Sequence, residues 1–521
     1  MLSRGFVVAA GCALALGVFV PAAEAAPTET VTNTNDDGPG SLRAAMTAVD
    51  NGGEIFFASA AIDPGLDFEI LIDKNVTITG LGAGTTKITG GVGDRIFELA
   101  AGVTVTIRDL EITGGNAPGG ADGVNPGDNG TPGESGGAIL NTHSDSSLTL
   151  RRTLIDGNNA AGGGSGVSGD LTHGGGTGAI GGSGGAISSA GTLVVEDSEL
   201  KNNAAGFGGA GGSQGAIGPT GSGAPAGSGG AIVATGTVSI SDSTFRFNSA
   251  GDGGSGGAGS TCGAGANGGN GGGLRYNGGG ALALTNVTIT ANLAGSGGAH
   301  GSCAMQPNLV GGNGGSGGGV STSAAAPVTN ATIAGNTAGS GSPGTNFMGL
   351  PTPPVNGTGG GVSGAATLNN TIMSSNNAPD NQRNCDAAVL DGDYNVSFPD
   401  TPEAGCPAGF AHGDPQLVAL ADNGGRTPTM AIPNTSSAYD HVPTSGAGCP
   451  ALDQRGVGRP QFASCDAGAF ELAPGPPPPT PPPAASPGPT GQRAAALKKC
   501  KKKKSKKARK KCKKKANKLP V

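Results

Sequence analysis

Tryptophan is absent from this chain of 521 residues, tyrosine occurs three times and histidine five times. Charged residues make up 13% and hydrophobic residues 35%. Such a chain lacks the large side chains of an ordinary globular enzyme core and the charge of a solvated, disordered polymer. Sugar-binding grooves commonly use aromatic platforms, and few aromatics are present to build one. After the first 25 residues no run is apolar enough for a helical span of about 20 residues. In place of these features the chain has 104 glycines and 36 prolines. Glycine at about three times ordinary usage, without a Gly-X-Y period along the chain, excludes collagen. Several hundred ordered residues of this composition require a fold whose cohesion comes largely from the backbone, and repetitive β structure is the natural candidate.

The formal charge of −6 averages two unlike parts. Sixteen Lys and Arg follow from Arg493 onward with no acid, whereas the rest carries fifteen bases against 37 acids, a balance of −22. At the other end, Arg4, the apolar stretch Phe6 to Val20 and Ala23-Glu24-Ala25 read as a secretory signal over residues 1–25. An uncleaved anchor is the rival reading, with a run short for a span. Removing the segment leaves eight cysteines, an even number that fits disulfides in an oxidising compartment. Proximity favours Cys385 with Cys406 and Cys449 with Cys465. Cys262 and Cys303 occupy comparable places in consecutive Gly-rich stretches, so a bridge between them is also expected. For Cys500 and Cys512 the sequence leaves open a staple within the tail or a cross-link to a neighbour. Metal ligation is the weaker reading, since no Cys-x-x-Cys pair exists and histidines do not cluster near the cysteines.

Internal repetition dominates the middle of the chain. One motif recurs as Gly136-Gly137-Ala138-Ile139, Gly184-Gly185-Ala186-Ile187 and Gly229-Gly230-Ala231-Ile232, with looser copies ending at Leu274, Val320 and Val362. Each is followed by an apolar residue, two spacers and an asparagine: Asn158, Asn203, Asn248, Asn292, Asn336 and Asn376, at intervals of 45, 45, 44, 44 and 40 residues. Between the motifs lie alternating segments such as Thr192-Leu193-Val194-Val195, which signal half-buried strands. An earlier degenerate copy has Ile112 followed by Gly115, and three residues before the apolar residue of the seven copies stands Asp109, Arg152, Asp197, Asp242, Asn286, Asn330 or Asn370, Asp or Asn in six of the seven. A polar residue once per unit is what stacked coils need at a turn. The expected fold is therefore all-β: a parallel β-helix with Gly-rich loop insertions, then a Pro-rich linker and a basic disordered tail. A propeller of similar period would need four strands per blade and signatures that are missing.

These residues resemble known groups. The Gly-Gly-Ala-Ile and Phe245-Arg246-Phe247-Asn248 motifs are similar to the repeats of polymorphic outer-membrane-type surface proteins. Thr30 to Asp36 with Pro39-Gly40-Ser41-Leu42-Arg43 resembles the N-terminal cap of bacterial right-handed β-helices of the pectin-lyase-like fold. Asp414-Pro415-Gln416-Leu417, Asn423-Gly424-Gly425-Arg426-Thr427-Pro428, Asp453-Gln454-Arg455-Gly456 and Cys465-Asp466-Ala467-Gly468-Ala469-Phe470-Glu471 resemble the choice-of-anchor Q region of bacterial surface proteins. The resemblance implies a right-handed β-helix and a surface location. The expected organisation is a signal (1–25), a cap (26–69), the repeat-built β-helix (70–378), a choice-of-anchor Q-like region (379–472), a Pro-rich linker (473–492) and a Lys-rich tail (493–521).

For function, two classes compete. A structural, adhesive or binding role suits a column of turn residues that drifts from Asp197 and Asp242 to Asn286 and Asn330, as a ladder does. A polysaccharide lyase or hydrolase would need clustered carboxylates in one groove, for which Asp197 and Asp242 are the candidates. Gly-x-Ser-x-Gly matches are chance products of Gly-rich sequence; no phosphate loop occurs, and His143, His173 and His300 have no evident partners. No cofactor, metal or catalytic residue is expected. Lys498, Lys501, Lys506, Arg509 and Lys513 represent the expected attachment element, whose partners would be cell-wall or other anionic surface polymers. Polylysine would hold nucleic acid only without sequence specificity.

Overall fold

A computed structural model describes residues 27–60, 62–303, 308–380, 382–399, 401, 405–444, 448–474 and 492–518. The signal segment and nearly all of the Pro-rich linker lie outside the described residues. The chain forms two units, divided after Leu472.

The first unit is a parallel β-helix. Each repeat supplies three short strands, and each strand stacks in register on its counterpart in the next repeat. The first column runs Ile139–Asn141, Ile187–Ser189, Ile232–Ala234, Leu274–Tyr276 and on to Val320. Thr104–Arg108, Ser147–Arg151, Thr192–Glu196, Val238–Ser241 and Leu282–Thr285 form the second. The third holds Glu111–Thr113, Leu154–Asp156, Glu199–Lys201, Thr244–Arg246, Thr288–Thr290, Thr332–Ala334, Ile372–Ser374 and Val396–Phe398. Every pairing in these columns is parallel. Period-two alternation puts Leu148, Leu193, Val238 and Leu282 in one buried stack and Ile155, Leu200, Phe245, Ile289, Ile333 and Met373 in another. At the N-terminal end, the helix Leu42–Ala48, capped by Ser41 Oγ accepting from Ala44 N at 3.1 Å, buries Leu42, Ala45 and Met46 over the core.

Beside the third column runs a buried asparagine ladder. The Nδ2 of Asn158 donates to Oδ1 of Asn203 at 3.0 Å, and the same bond links Asn203 to Asn248, Asn248 to Asn292, Asn292 to Asn336 and Asn336 to Asn376, each at 2.9 Å. Each Oδ1 also accepts the backbone N–H of the preceding asparagine, as Asn292 Oδ1 does from Asn248 N at 3.0 Å. One further rung, Asn376 to Asn384 at 3.0 Å, falls only eight residues on. At the N-terminal end Gly115 N closes the ladder on Asn158 Oδ1 at 2.9 Å.

The Gly-rich insertions, read from sequence as loops, are a second ordered layer. Each leaves the coil and returns beside itself, and its bonds repeat every three residues. In the outgoing leg of one insertion, Ala205, Gly208 and Gly211 donate to Ser249, Asp252 and Ser255 of the next leg, at 2.9, 2.9 and 2.8 Å. Gly206, Gly209 and Gly212 donate instead to Gly182, Ala179 and Gly176 of the preceding return leg, each at 2.8 Å. The third phase faces outward and is often Ser, Asn, Asp or Thr. There a side chain of the previous coil accepts the remaining N–H, as Ser183 Oγ does from Ser228 N at 3.0 Å and Asn270 Oδ1 from Ser316 N at 2.7 Å. Three residues per turn without internal bonds is the habit of a polyproline II-type helix, and this layer is a stack of such legs. Close approach demands glycine: a Cβ at Gly206 or Gly254 would enter the carbonyl of Ala161 or Gly209. Cys262–Cys303 ties two neighbouring insertions together, with Cα atoms 5.8 Å apart. Cys385–Cys406 and Cys449–Cys465 are also bridged.

The second unit corrects an expectation. The basic tail, expected to be disordered, forms two helices, Gln492–Lys501 and Lys506–Ala516, joined by Cys500–Cys512. Lys, Arg and Ala are strong helix formers. Ser505 Oγ caps the second helix by accepting from Ala508 N at 3.2 Å. Of the two alternatives the sequence left open for Cys500 and Cys512, the staple within the tail is the one formed.

Two outcomes test this architecture. Asn292→Leu strands several buried groups at once and should lower stability by at least about 3 kcal/mol, measured by denaturant unfolding. Gly254→Ala should accelerate amide exchange throughout the insertion layer around Gly209 and Ala266, whereas the outward Ser255→Ala should leave it unchanged.

Candidate functional site

The seven residues of the polar turn column share one conformation. Asp109, Arg152, Asp197, Asp242, Asn286, Asn330 and Asn370 all have φ between 50° and 58°. Asp and Asn tolerate this left-handed region better than other side-chain-bearing residues, which accounts for six of the seven identities. Arg152, the exception, donates from Nε and Nη2 to both carboxylate oxygens of Asp109, at 2.6 and 2.5 Å. Asn286 Nδ2 donates to Asp242 Oδ1 at 3.1 Å and Asn370 Nδ2 to Asn330 Oδ1 at 3.0 Å.

The C-terminal region folds back over half of this column. It docks on the first residues of the third-column strands, which are threonine in three successive covered coils and Ile372, packed against the same region, in the next. Thr244 Oγ1 donates to the carbonyl of Pro428 at 2.7 Å, Thr288 Oγ1 to Gln454 Oε1 at 2.7 Å, and Thr332 Oγ1 accepts from Ala469 N at 3.0 Å. In the uncovered coils the same position is Glu111, Leu154 or Glu199. Thr427 Oγ1 further donates to the carbonyl of Asp242 at 2.9 Å. The motifs singled out in this region are thus largely a clasp. Buried charges hold the clasp itself together. Arg459 donates to the carbonyls of Asp466 and Gly468 at 2.6 and 2.7 Å and meets Glu471 at 3.3 Å. Asp453 accepts from Arg455 and from the backbone of Val457 and Glu471, while the Arg455 guanidinium lies 3.7 Å over the Phe470 ring.

Where clasp and column part, a cleft opens. One section of about 520 Å³ is lined by Asp197, Asp242, Asn286, Arg426, Asp453 and Arg455 among others. A neighbouring section of about 390 Å³ shares Asp197 and Arg426 and reaches Asp109, Arg152 and Glu199. Arg426 Nε stands 3.7 Å from Asp197 Oδ2. Burial raises the Asp242 carboxyl above its ordinary range, opposed by the Asn286 bond and reinforced by the Asp197 charge. The Arg152 bonds hold Asp109 below that range. Chemically the cleft is a set of carboxylates already paired with arginine or amide, and no aromatic ring lines it. Among the described residues no group of three or more His, Cys, Asp or Glu is placed to hold a metal ion.

The remaining candidates lie elsewhere. His173 is exposed and 3.0 Å from Asp170, in an insertion tip, and His300 contacts the carbonyl of Gly301 at 2.7 Å. Lys498, Lys501, Lys506, Arg509 and Lys513 are exposed on the tail helices. The clasp threonines Thr244, Thr288 and Thr332 escaped the sequence reading. Their signal is the change from Glu and Leu to Thr at one repeat position.

No family model matches the chain. No curated protein matches it either. Among solved structures it is similar to the crystal structure of pectate lyase Pel9A, at 13% identity over 86% of this chain and 97% of that one, with a TM-score of 0.31. At that score the likeness carries no argument. The β-helix rests on the strand pairings above, and nothing about activity transfers from the neighbour.

Asp466 supplies a pH test. Burial pushes its carboxyl up to about 6, against bonds from the backbone of Leu472 and Asp440. The unfolded chain titrates this group near ~3.9, so the folded clasp binds the proton more tightly. Stability is then greatest below about pH 4 for this group and falls as pH rises to about 6. Asp466→Asn should flatten that fall, measured as unfolding midpoints across the range.

Proposed function

We propose that the chain is an exported, cell-surface-associated β-helix with a non-catalytic structural, adhesive or binding role, held by its lysine-rich tail to anionic surface polymers. The observation that carries this reading is the tail: sixteen bases and no acid, with every lysine from Lys498 to Lys518 exposed. Four cysteine pairs favour an oxidising compartment. Among the described residues no helix is long and apolar enough to cross a membrane. The resemblance of the 414–471 motifs to choice-of-anchor Q regions points the same way. In the cleft, Asp197 and Asp242 serve arginine and amide partners, and a groove without aromatic rings offers little purchase on a sugar chain.

A polysaccharide lyase or hydrolase remains the second reading, favoured by one observation: Asp197 and Asp242 line the same cleft and interact electrostatically. Incubation with pectins, alginates and cell-wall glycans separates the two. The present reading expects no sustained product release, and turnover lost in Asp197→Ala or Asp242→Ala would overturn it.

Truncation after Leu472 tests the attachment. The full chain should stay with isolated cell walls at low salt and be released near 1 M, where the Debye length falls to about 3 Å, while the truncated form should wash off at low salt. Equal retention of both forms at every salt concentration would remove the tail from the role.

A further inference from the structure

The tail is a closed object, not a loose polycation. Its two helices have ten and eleven residues, below the length at which isolated helices hold in water. Like charges stand four apart throughout the second helix: Lys506 and Lys510, Lys507 and Lys511, Arg509 and Lys513, Lys511 and Lys515. Each such pair opposes helix formation, and the unit contains no acid to offset it. Its apolar interior is minimal. Cys500 and Ala516 are buried, Leu497 and Cys512 are half-buried, and the cationic side chains described are exposed. Two things can hold such a hairpin: the Cys500–Cys512 bridge, which is present, and counter-charge along its length.

We propose that this disulfide-closed hairpin is a preorganised receptor for a flexible linear phosphate polymer, with the bridge and the bound polymer stabilising the same helical state. The inference rests on the tail-attachment reading above and deepens it by naming the ligand chemistry and the conformational requirement. The second helix sets eight bases along eleven residues, about 16 Å of helix at 1.5 Å per residue, a density that a closely spaced row of phosphates can match. A lipid surface fits less well, because interfacial helices bury an apolar face and here the described apolar side chains are small or turned inward, Cys500 and Ala516 buried and Leu497 and Cys512 half-buried. Single-stranded nucleic acid adds base stacking on aromatic rings, and the tail has none. Phosphate charge alone is therefore the recognised feature. Closure removes the ordering cost that an open chain would meet on binding. By linkage the polymer must in turn favour the closed hairpin.

The test uses the full chain, oxidised, beside a Cys500→Ser/Cys512→Ser variant of identical charge. Long-chain inorganic polyphosphate is the main probe, with phosphatidylglycerol vesicles and single-stranded DNA as the other arms. The oxidised chain should bind polyphosphate about tenfold more tightly than the serine variant. The variant should gain helical circular dichroism on adding polyphosphate, and polyphosphate should slow reduction of the Cys500–Cys512 bridge in the wild-type chain. Equal affinity of the two forms, with no gain of helix, would overturn the closed-receptor inference while leaving tail attachment intact. Tighter binding to vesicles or to DNA than to polyphosphate would overturn the choice of ligand. Binding of none of the three by either form would overturn the tail-attachment reading itself.

Discussion

The peptide-to-peptide hydrogen bond between residues about 44 positions apart is the constraint on which this protein depends. It organises the strands, where Leu193 lies over Leu148 and under Val238, and equally the glycine legs, where Gly208 donates to Asp252. A core of short aliphatic side chains gives each coil little apolar area, and the insertions give almost none. Regular bonding along the stack offsets that shortage. The asparagine ladder follows from the same rule. A side chain that can both donate and accept along the stack satisfies the turn at every level, and Asn does so at neutral charge. Asp in that place would set acceptor against acceptor inside the protein.

That logic separates what could be read in the sequence from what could not. The apolar-x-x-Asn spacing was legible because inside positions are chosen by one-dimensional geometry, and Ile155, Leu200, Phe245 and Ile289 record it directly. The turn column was legible because the left-handed conformation selects Asp and Asn. The insertion layer was overlooked, although a local signal existed in Phe207-Gly208-Gly209-Ala210-Gly211-Gly212-Ser213 and Asp252-Gly253-Gly254-Ser255-Gly256-Gly257. A three-residue period carried by glycine looks like linker composition unless the fate of each backbone N–H is asked. Asn384 lay beyond reach for another reason: its rung follows an eight-residue step that no repeat announces.

The C-terminal motifs illustrate how conspicuous residues can be structural. Asp453, Arg455, Arg459, Asp466 and Glu471 form a dense charged cluster of a kind that invites a catalytic interpretation. In the structure their lone pairs and protons are largely taken up by one another and by backbone groups, and the cluster fixes an irregular segment that has few strands of its own. Cation–π contact between Arg455 and Phe470 does similar service. The cleft exists because that segment stops short of the first coils, and it inherits turn-column carboxylates that the ladder had already placed there.

The clasp also sets a rule for how such a chain can grow. Solenoids lengthen by duplicating a repeat, and most coils here are near-equivalent in geometry. The threonines at 244, 288 and 332 are not interchangeable with their neighbours, since Pro428, Gln454 and Ala469 reach them at fixed intervals from the far end of the chain. A coil inserted among those three would throw the clasp out of step with its sockets, whereas one added beside Glu111, Leu154 or Glu199 would meet no such measure. The covered coils act as a ruler of fixed length, and the freedom to evolve a longer or shorter rod belongs to the uncovered ones.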